Sequence, residues 1–227
     1  MKVIVFGASG MVGHGVLRES LLATDVTEVV AVGRSPLGKS HPKLRELVHK
    51  DMLDLSPIAD DLTGFDACFY CLGVSSAGMS EEDYTRITHD YTLVVGNLLA
   101  ERNPGMTFIY VSGYGADSTE RGRAMWARVK GRTENGLLSL PLAAFMFRPG
   151  FIRAMHGAKS KTRLYRLLYS VISPLSGLIQ RVAPNQVSTT EGIGKAMLEV
   201  VRSGAPQPIL GTRAINVLAD GPGPPRP

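Results

Sequence analysis

The feature that most constrains this chain is a glycine-rich turn near its start. An apolar run from Val3 to Phe6 leads into Gly7, Gly10 and Gly13, and a segment with apolar residues at helical spacing follows. This order predicts a strand, a tight turn and a helix. In such a unit the first glycine permits the turn, the second lets the backbone approach a pyrophosphate, and the third lets the helix pack close to the strand. The N–H groups of the first helical turn would then hold the phosphates.

The end of the second predicted strand bears on which dinucleotide fits. Residues 28–33 form a second apolar run, and Arg34 and Ser35 follow it. A site for NAD usually has an acidic residue here, which binds the ribose 2′-hydroxyl. In this chain no carboxylate is present to repel a 2′-phosphate, and a guanidinium can pair with that phosphate through two hydrogen bonds. The sequence therefore favours NADP(H), and Lys39 either assists Arg34 or is a solvated loop charge.

Apolar runs alternate with segments of helical periodicity as far as residue 150. A capping box at Ser80 and Asp83 opens the longest helical segment, and Asn103 ends it. This alternation predicts an α/β protein with a doubly wound parallel sheet, a three-layer Rossmann fold with strand order 3-2-1-4-5-6. A last helix at 189–201 and a short extra strand at 208–210 follow. The main strands are predicted at 3–6, 28–33, 47–52, 65–73, 107–112 and 142–147, with a loop and a short helix before the third.

Two of these strands end in residues suited to a flat cofactor. The third ends at Asp51 and Met52, which either bind the adenine amino group and ring or are ordinary strand-end residues. The fourth ends at Gly73 and a run of small residues, which would let a cofactor cross the strand end. Cys68 and Cys71 lie three apart on this strand, so they point to opposite faces and cannot form a disulfide.

The chain length fits one domain with a small appendage. We expect a single dinucleotide-binding domain over residues 1–220, with the Gly- and Pro-rich residues 221–227 as a disordered tail. Residues 151–187 break the alternation, because a basic segment is followed by a mostly apolar one. They predict two short helices that form a substrate lid, a contact in a homodimer, or a surface that lies on a membrane.

The net charge and the hydropathy of the chain limit which ligands it can bind and where in the cell it can be located. The net charge of +5 and the pI near 9.3 suit an anionic cofactor or substrate. No Lys/Arg cluster interleaved with aromatic residues marks a nucleic-acid surface, and the five histidines lack metal-ligand spacing. The apolar run before Gly7 is shorter than the roughly 7–15 residues of a signal peptide core, and no apolar stretch reaches the roughly 18–20 residues of a transmembrane helix. We therefore expect a cytoplasmic protein with a small-molecule substrate.

Together these motifs resemble the short-chain dehydrogenase/reductase superfamily, in its atypical branch of small NAD(P)-binding proteins of the epimerase-like or NmrA-like type. The resemblance covers residues 1–150 well and the rest loosely. The features that carry the resemblance are Gly7-Ala8-Ser9-Gly10-Met11-Val12-Gly13, Arg34, Asp51, Cys71-Leu72-Gly73, Ser112, Lys130 and Arg148-Pro149-Gly150. The resemblance implies a cofactor site made of Gly7, Ser9, Gly10, Met11, Val12, Arg34, Ser35, Asp51, Met52, Cys71, Leu72, Gly73 and Lys130.

The resemblance also implies catalytic roles. Active members carry a Tyr-x-x-x-Lys pair on the helix after strand five and a serine at that strand's end. Ser112 would orient a substrate carbonyl, and Lys130 would bind the nicotinamide ribose and lower the pKa of the tyrosine, which transfers the proton that hydride transfer to a carbonyl requires. Here Trp126 occupies the tyrosine position, and an indole N–H has no useful acidity. Tyr114 either supplies a phenol instead or is an ordinary loop tyrosine.

Two functions therefore remain open. The first is an NADP(H)-dependent oxidoreductase of small carbonyl compounds, with its proton source unassigned. The second is a non-catalytic NADP(H) sensor or scaffold that binds the dinucleotide through the same residues. The missing tyrosine favours the second function, and the cofactor half of the site fits both.

Overall fold

In the computed structural model, which describes residues 1–158 and 186–221, the predicted apolar runs form strands. These strands are β1 Lys2–Phe6, β2 Glu28–Gly33, β3 Leu44–Val48, β4 Ala67–Tyr70, β5 Thr107–Val111, β6 Ala143–Arg148, β7 Phe151–Arg153, β8 Val187–Thr189 and β9 Ile209–Gly211. Seven of them form one sheet in the order β3-β2-β1-β4-β5-β6-β9, and every neighbouring pair is parallel. The predicted doubly wound Rossmann fold and its extra C-terminal strand are confirmed.

Helices cover both faces of this sheet because its central strands are apolar on both sides. The helices are α1 Met11–Leu22, α2 Glu81–Thr85, α3 Tyr91–Arg102, α4 Met125–Leu138, α5 Thr190–Ser203 and α6 Thr212–Asp220, with short 3-10 turns at Ser56–Ile58 and Asp60–Leu62. On β1, Val3 and Val5 pack under α1, α5 and α6, whereas Ile4 and Phe6 pack under α3 and α4. All four side chains are fully buried. The result is the predicted arrangement of three layers.

The third strand lies earlier in the chain than predicted. It spans Leu44–Val48 instead of 47–52, and no helix precedes it within residues 34–43. β3 is an edge strand, where charged side chains are tolerated. Its central residues Arg45 and Glu46 are accordingly held by ion pairs and by hydrogen bonds to neighbouring segments. The apolar residues of the sequence therefore indicate only the second half of β3.

The long helical segment after β4 begins as predicted but is interrupted. The Ser80 hydroxyl oxygen accepts a hydrogen bond from the backbone N–H of Asp83 at 3.1 Å, and the Ser80 hydroxyl lies 2.9 Å from the Asp83 carboxylate. A π-helical turn, Arg86–Asp90, separates α2 from α3, which the sequence did not indicate. The segment ends at Arg102, and the Asn103 side chain then accepts from two backbone N–H groups of the loop before β4.

The C-terminal helices close against the N-terminal part of the chain. A Cβ added at Gly15 would lie 2.5 Å from the carbonyl oxygen of Thr190, and one at Gly194 would lie 2.8 Å from the Glu19 side chain. The close packing of α1 on α5 thus depends on two glycines. The predicted helix at 189–201 is confirmed as α5, whereas α6 was not predicted.

The predicted appendage at 151–187 is described only at its two ends. There, β7 and β8 pair in parallel as a separate two-stranded sheet, with Phe151 opposite Val187. The two predicted short helices fall on residues 159–185, and most of the predicted disordered tail falls on residues 222–227. Both stretches lie outside the described residues.

Candidate functional site

The turn between β1 and α1 has the backbone path that the glycine spacing predicts. Gly7 has a φ of +79°, a conformation that residues with a side chain rarely adopt. A Cβ on Gly7 would lie 2.6 Å from the backbone nitrogen of Leu72, just past β4, and a Cβ on Gly13 would overlap the Gly7 carbonyl oxygen. The first and third glycines are therefore required by close backbone contacts.

The second glycine opens the start of α1 to a ligand. Gly10 is the N-cap residue, no side chain caps the helix through a hydrogen bond, and the first turn holds no acidic residue. Its φ of −82° suits any residue, and an added Cβ would meet only the Gly7 carbonyl oxygen, at 3.2 Å. Since uncapped N–H groups at a helix start attract anions, this turn fits the diphosphate of a dinucleotide. Ser9 lies exposed beside it, and Met11 and Val12 form its first helical residues.

The end of β2 presents a cationic side chain. Arg34 and Ser35 follow the strand directly and are both exposed, and no carboxylate in the described chain forms an ion pair with Arg34. The following loop is fixed by Glu46, whose carboxylate accepts from the backbone N–H groups of Leu37 at 2.6 Å and Lys39 at 3.4 Å. Arg34 therefore stands at the carboxyl end of β2, in the position where the sequence places the ribose site.

The first turn of α1 also contains a partly buried histidine. His14 lies in that turn, and burial lowers its pKa, with further lowering from the charges of Lys39, Arg18 and His156. The Nδ1 atom of His14 is buried and has no hydrogen-bond partner within the described residues. The lowered pKa favours the neutral imidazole, so Lys39 and Arg18, not His14, carry the positive charge near this turn.

The structure separates the two residues predicted to contact adenine. Both lie in the loop after β3 rather than at the end of the strand, as the shifted strand boundary requires. Asp51 is exposed, and its carboxylate accepts from the backbone N–H of Leu53 at 2.9 Å. Met52 is only 1% exposed, because its side chain packs in the core with Leu55 and Leu62. Of the pair, only Asp51 presents its side chain to solvent.

The carboxyl ends of β1 and β4 meet at the point where the strand order reverses. The backbone N–H of Cys71 donates to the carbonyl of Phe6 at 2.9 Å, and Leu72 and Gly73 continue past it. Crevices of this kind are where doubly wound sheets bind ligands. Cys68 and Cys71 are free thiols, as the spacing predicts. Burial raises the pKa of Cys71 to about 12, so the thiol stays protonated and is a poor nucleophile at neutral pH.

At the carboxyl end of β5 the structure brings Ser112 and Lys130 together. Ser112 is 1% exposed, and its hydroxyl donates to the carbonyl of Phe147 at 3.2 Å. The Nζ atom of Lys130 donates to the carbonyl oxygen of Ser112. Burial lowers the pKa of Lys130 to about 8, and the charge of Glu134 opposes that shift. Lys130 thus contacts the main chain of Ser112, whereas the Ser112 hydroxyl is hydrogen-bonded to the carbonyl of Phe147.

Trp126 and Tyr114 flank the loop that follows β5. Trp126 lies one turn before Lys130 on α4, and a Cβ at Gly115 would be 2.9 Å from the edge of its indole ring. The ring therefore packs against this loop as a wall. Tyr114 is 73% exposed, and its backbone N–H donates to the carbonyl of Pro149 at 2.8 Å. Its phenol stands in solvent at the edge of the site.

A buried ion pair that the sequence pattern does not indicate supports this region. Glu134 of α4 is 0% exposed, and Arg148 at the end of β6 binds it with two hydrogen bonds, one of 3.0 Å from Nε and a second from a terminal nitrogen. Arg148 also donates to the Ser118 hydroxyl at 2.5 Å. The hydrogen bonds to Glu134 raise the pKa of Arg148. The Arg148-Pro149-Gly150 motif is visible in the sequence, but the partner of Arg148 is Glu134, which lies 14 residues earlier on α4.

A cavity of about 640 Å³ beside Tyr114 was also missed. Its walls come mainly from β9 and α6, and Arg213 is the charged residue in the described part of the lining. Ile215 and Leu218 are apolar residues at helical spacing, and this spacing is the sequence feature that indicates α6 and therefore this side of the cavity. The apolar residues of the lining include Leu210, Ala214, Val217 and Leu218.

Known proteins match this fold and motif set. The sequence model of the NAD dependent epimerase/dehydratase family matches residues 3–126, more than half of the chain. The chain belongs to that family, and with it to the NAD(P)-binding Rossmann proteins of the atypical short-chain dehydrogenase/reductase superfamily.

Among individual relatives, the chain is similar to Protein HTATIP2 of Rattus norvegicus, with 28% identity over 155 residues that cover 66% of this chain and 62% of that protein. It is similar to Protein FMP52, mitochondrial, of Eremothecium gossypii, with 29% identity over 155 residues that cover 67% and 66%. The match thus spans less than two thirds of the length of either relative.

Solved structures share the fold at low sequence identity. The structure of MoeE5 in complex with UDP-glucose and NAD superposes with a TM-score of 0.67 at 16% identity, over 93% of this chain and 75% of that one. A double mutant of DesIV, a dTDP-glucose 4,6-dehydratase from Streptomyces venezuelae with NAD and DAU bound, gives 0.69 at 17% identity over the same shares. At such identities the likeness extends to the fold alone.

Within residues 1–158 and 186–221, no helix has the length and apolar character needed to cross a lipid bilayer. Nor do three or more His, Cys, Asp or Glu side chains there come together as a metal site.

Proposed function

We propose that the protein binds NADP(H) and acts as an oxidoreductase on a small carbonyl-type substrate. One observation carries the proposal: an uncapped helix start at Gly10 lies next to a strand end that presents Arg34 and no carboxylate. The first feature suits a diphosphate, and the second suits the additional phosphate that distinguishes NADP(H) from NAD(H).

Each part of the dinucleotide has residues suited to it. The turn from Gly7 to Gly13 holds the diphosphate, with Ser9, Met11 and Val12 around it. Arg34 and Ser35 bind the 2′-phosphate, and the exposed Lys39 of the following loop adds a second positive charge. The Asp51 carboxylate accepts a hydrogen bond from the adenine amino group. Met52 contributes only by packing in the core beneath the loop that carries Asp51. Cys71, Leu72 and Gly73 let the cofactor cross the end of β4.

The catalytic half lies at the carboxyl end of β5. When bound, the dinucleotide supplies or accepts a hydride at its nicotinamide ring. Lys130 holds the nicotinamide ribose, since its ammonium has two N–H donors left after its bond to Ser112. Ser112 shapes the site through its main chain, and its hydroxyl reaches a substrate carbonyl only after leaving Phe147. The exposed phenol of Tyr114 stands beside the apolar cavity, which suits the body of the substrate.

Replacing Arg34 by alanine is expected to separate the two dinucleotides. The variant loses charge-assisted hydrogen bonds to the 2′-phosphate, so the Kd for NADPH should rise about tenfold to a hundredfold. NADH lacks that phosphate, and its Kd should change little. Fluorescence titration of both dinucleotides at fixed ionic strength measures the two effects.

Arg121→Ala is the matched control for this experiment. Arg121 is an exposed arginine in the loop before α4, so its removal lowers the net charge equally without touching the end of β2. NADPH affinity should stay near the wild-type value in this variant. Equal weakening of NADPH and NADH by Arg34→Ala would contradict the assignment.

The second function, a non-catalytic NADP(H) sensor or scaffold, is favoured by one observation. Trp126 lies one turn before Lys130, where an acidic phenol would be needed, and it packs on Gly115 as a wall. Consumption of NADPH across a panel of aldehydes, ketones, quinones and enones separates the two functions. Turnover of any of them supports the oxidoreductase, and saturable binding without turnover supports the sensor.

Three further sequence-based expectations stay predictions. They are a single domain over residues 1–220, a cytoplasmic location, and a role for residues 151–187 as a substrate lid, a homodimer contact or a surface that lies on a membrane. The close packing of α5 on α1 supports the first, because it joins the C-terminal part to the glycine turn. Size-exclusion chromatography with light scattering tests the homodimer contact.

A further inference from the structure

Reduction of a carbonyl at this site needs an acid, and the structure narrows the choice of side chain. The Ser112 hydroxyl donates to the carbonyl of Phe147. The Trp126 indole packs against Gly115 and has no useful acidity. Tyr114 is 73% exposed, so its phenol lies in solvent rather than in the crevice. Lys130 is the remaining proton carrier among the described residues at the carboxyl end of β5.

We propose that Lys130 is itself the proton donor of this site, in addition to binding the ribose. This inference rests on the oxidoreductase function proposed above. Its Nζ atom lies at the main chain of the strand end, because it donates to the Ser112 carbonyl and a Cβ on Gly113 would be 3.5 Å from it. The carbonyl fixes the amine through one N–H and leaves two N–H bonds for ligands. Since Gly113 has no side chain, this residue places no side-chain atom against the amine.

The electrostatic environment suits this role. Burial lowers the pKa of Lys130 to about 8, so the ammonium is mostly protonated at neutral pH yet acidic enough to give up a proton. Glu134, one turn further along α4, raises the pKa of Lys130, and its carboxylate is bound by Arg148 from β6.

The other titratable groups on the elements packed around α4 are held in place. The phenol of Tyr110 on β5 stays neutral because burial raises its pKa far above the ordinary value. Glu81 of α2 pairs with Arg128 at 2.7 Å, and the Asp117 carboxylate of the loop before α4 binds Thr119 and Gly122.

The proposed step balances with one proton from the side chain. A bound reduced nicotinamide would supply the hydride, with both electrons, for the new C–H bond at the substrate's carbonyl carbon, and would itself be oxidised. The electron pair of the C=O π bond moves to oxygen, which takes a proton as one N–H bond of the Lys130 ammonium breaks. The product is an alcohol, and solvent returns a proton to the neutral amine.

Lys130→Arg tests this assignment directly. A guanidinium keeps the positive charge and N–H donors, so NADPH should still bind, but it does not release a proton near neutral pH. Turnover should fall by about 10²–10⁴, the usual contribution of a general acid. In the wild-type protein the rate of reduction should fall as pH rises through about 8, because the acid form is then lost. Lys195→Arg is the matched control and should keep full activity, because Lys195 lies on α5, outside the proposed site, and pairs with Glu191.

A second readout needs no turnover. Amine-reactive labelling of the free protein across a pH series, followed by peptide mass spectrometry, should show Lys130 reacting with a midpoint near pH 8. Lys195 serves as an internal reference, because its hydrogen bond to Glu191 raises its pKa. A Lys130 midpoint near the ordinary lysine value of about 10.4 would overturn the proposal.

The outcomes separate this inference from the proposed function. If the wild-type protein reduces nothing in the carbonyl panel, the oxidoreductase function fails and the inference fails with it. If the wild-type protein is active and Lys130→Arg retains both its rate and its pH profile, only the proton-donor assignment fails. A selective loss in Tyr114→Phe, with Lys130→Arg still active, would assign the proton to Tyr114 instead.

Discussion

Replacing Arg148 by methionine is expected to lower the free energy of unfolding by about 3–5 kcal/mol. Glu134 is completely buried, and Arg148 supplies both hydrogen bonds that neutralise its carboxylate. Without the guanidinium, the protein must either bury an unpaired charge or protonate Glu134. Urea denaturation, followed by the fluorescence of the single tryptophan, Trp126, measures the change.

Arg102→Met is the matched control for this prediction. Arg102 pairs with Asp60 at 3.0 Å, but the two side chains are 43% and 96% exposed, so the loss should stay below about 1 kcal/mol. Adding Glu134→Leu to Arg148→Met should restore part of the stability, because it removes the unpaired charge. Equal effects of Arg148→Met and Arg102→Met would show that the buried pair does not support the site.

Alanine at Gly13 should mainly lower stability, whereas alanine at Gly10 should mainly weaken NADPH binding. A methyl group at Gly13 would overlap the Gly7 carbonyl oxygen, so α1 must shift, and we expect a loss of about 3 kcal/mol. Gly10 has an ordinary φ and a methyl there meets one atom at 3.2 Å, so stability should change by less than about 1 kcal/mol. In the proposed binding mode, that methyl would meet the diphosphate at the start of α1.

Thermal unfolding and NADPH titration of the two variants distinguish these roles. Gly10→Ala should keep its melting temperature within a few degrees and lose about a hundredfold or more in NADPH affinity. Gly13→Ala should melt well below the wild type. Wild-type affinity in Gly10→Ala would mean that the ligand does not approach the backbone at this turn.

The central part of the fold was predictable because its strands are apolar on both faces. β1 and β2 lie in the middle of a parallel sheet, so their runs of Val, Ile and Phe contain no exposed positions to confuse the pattern. β3 lies at the edge, where Arg45 and Glu46 are paired with neighbouring segments, and its boundary was misplaced for that reason. The adenine-contact prediction for Met52 inherited this error, since its side chain is in the core.

The candidate site was predictable where main-chain geometry dictates the residue type. Gly7 and Gly13 are required by close backbone contacts, so their spacing alone indicates the turn. Side-chain orientation was not accessible in the same way. The sequence places Ser112 at a strand end but does not show that its hydroxyl donates to Phe147, and the pairing of Glu134 with Arg148 depends on how α4 packs beside β6.

Calorimetric titration of the wild-type protein with NADPH and with NADH tests the proposed dinucleotide site most directly. We expect saturable binding at one site per chain, with NADPH bound about tenfold to a hundredfold more tightly because only it carries the phosphate for Arg34. Absence of heat and of saturable change with either dinucleotide at millimolar concentration would contradict the proposed site.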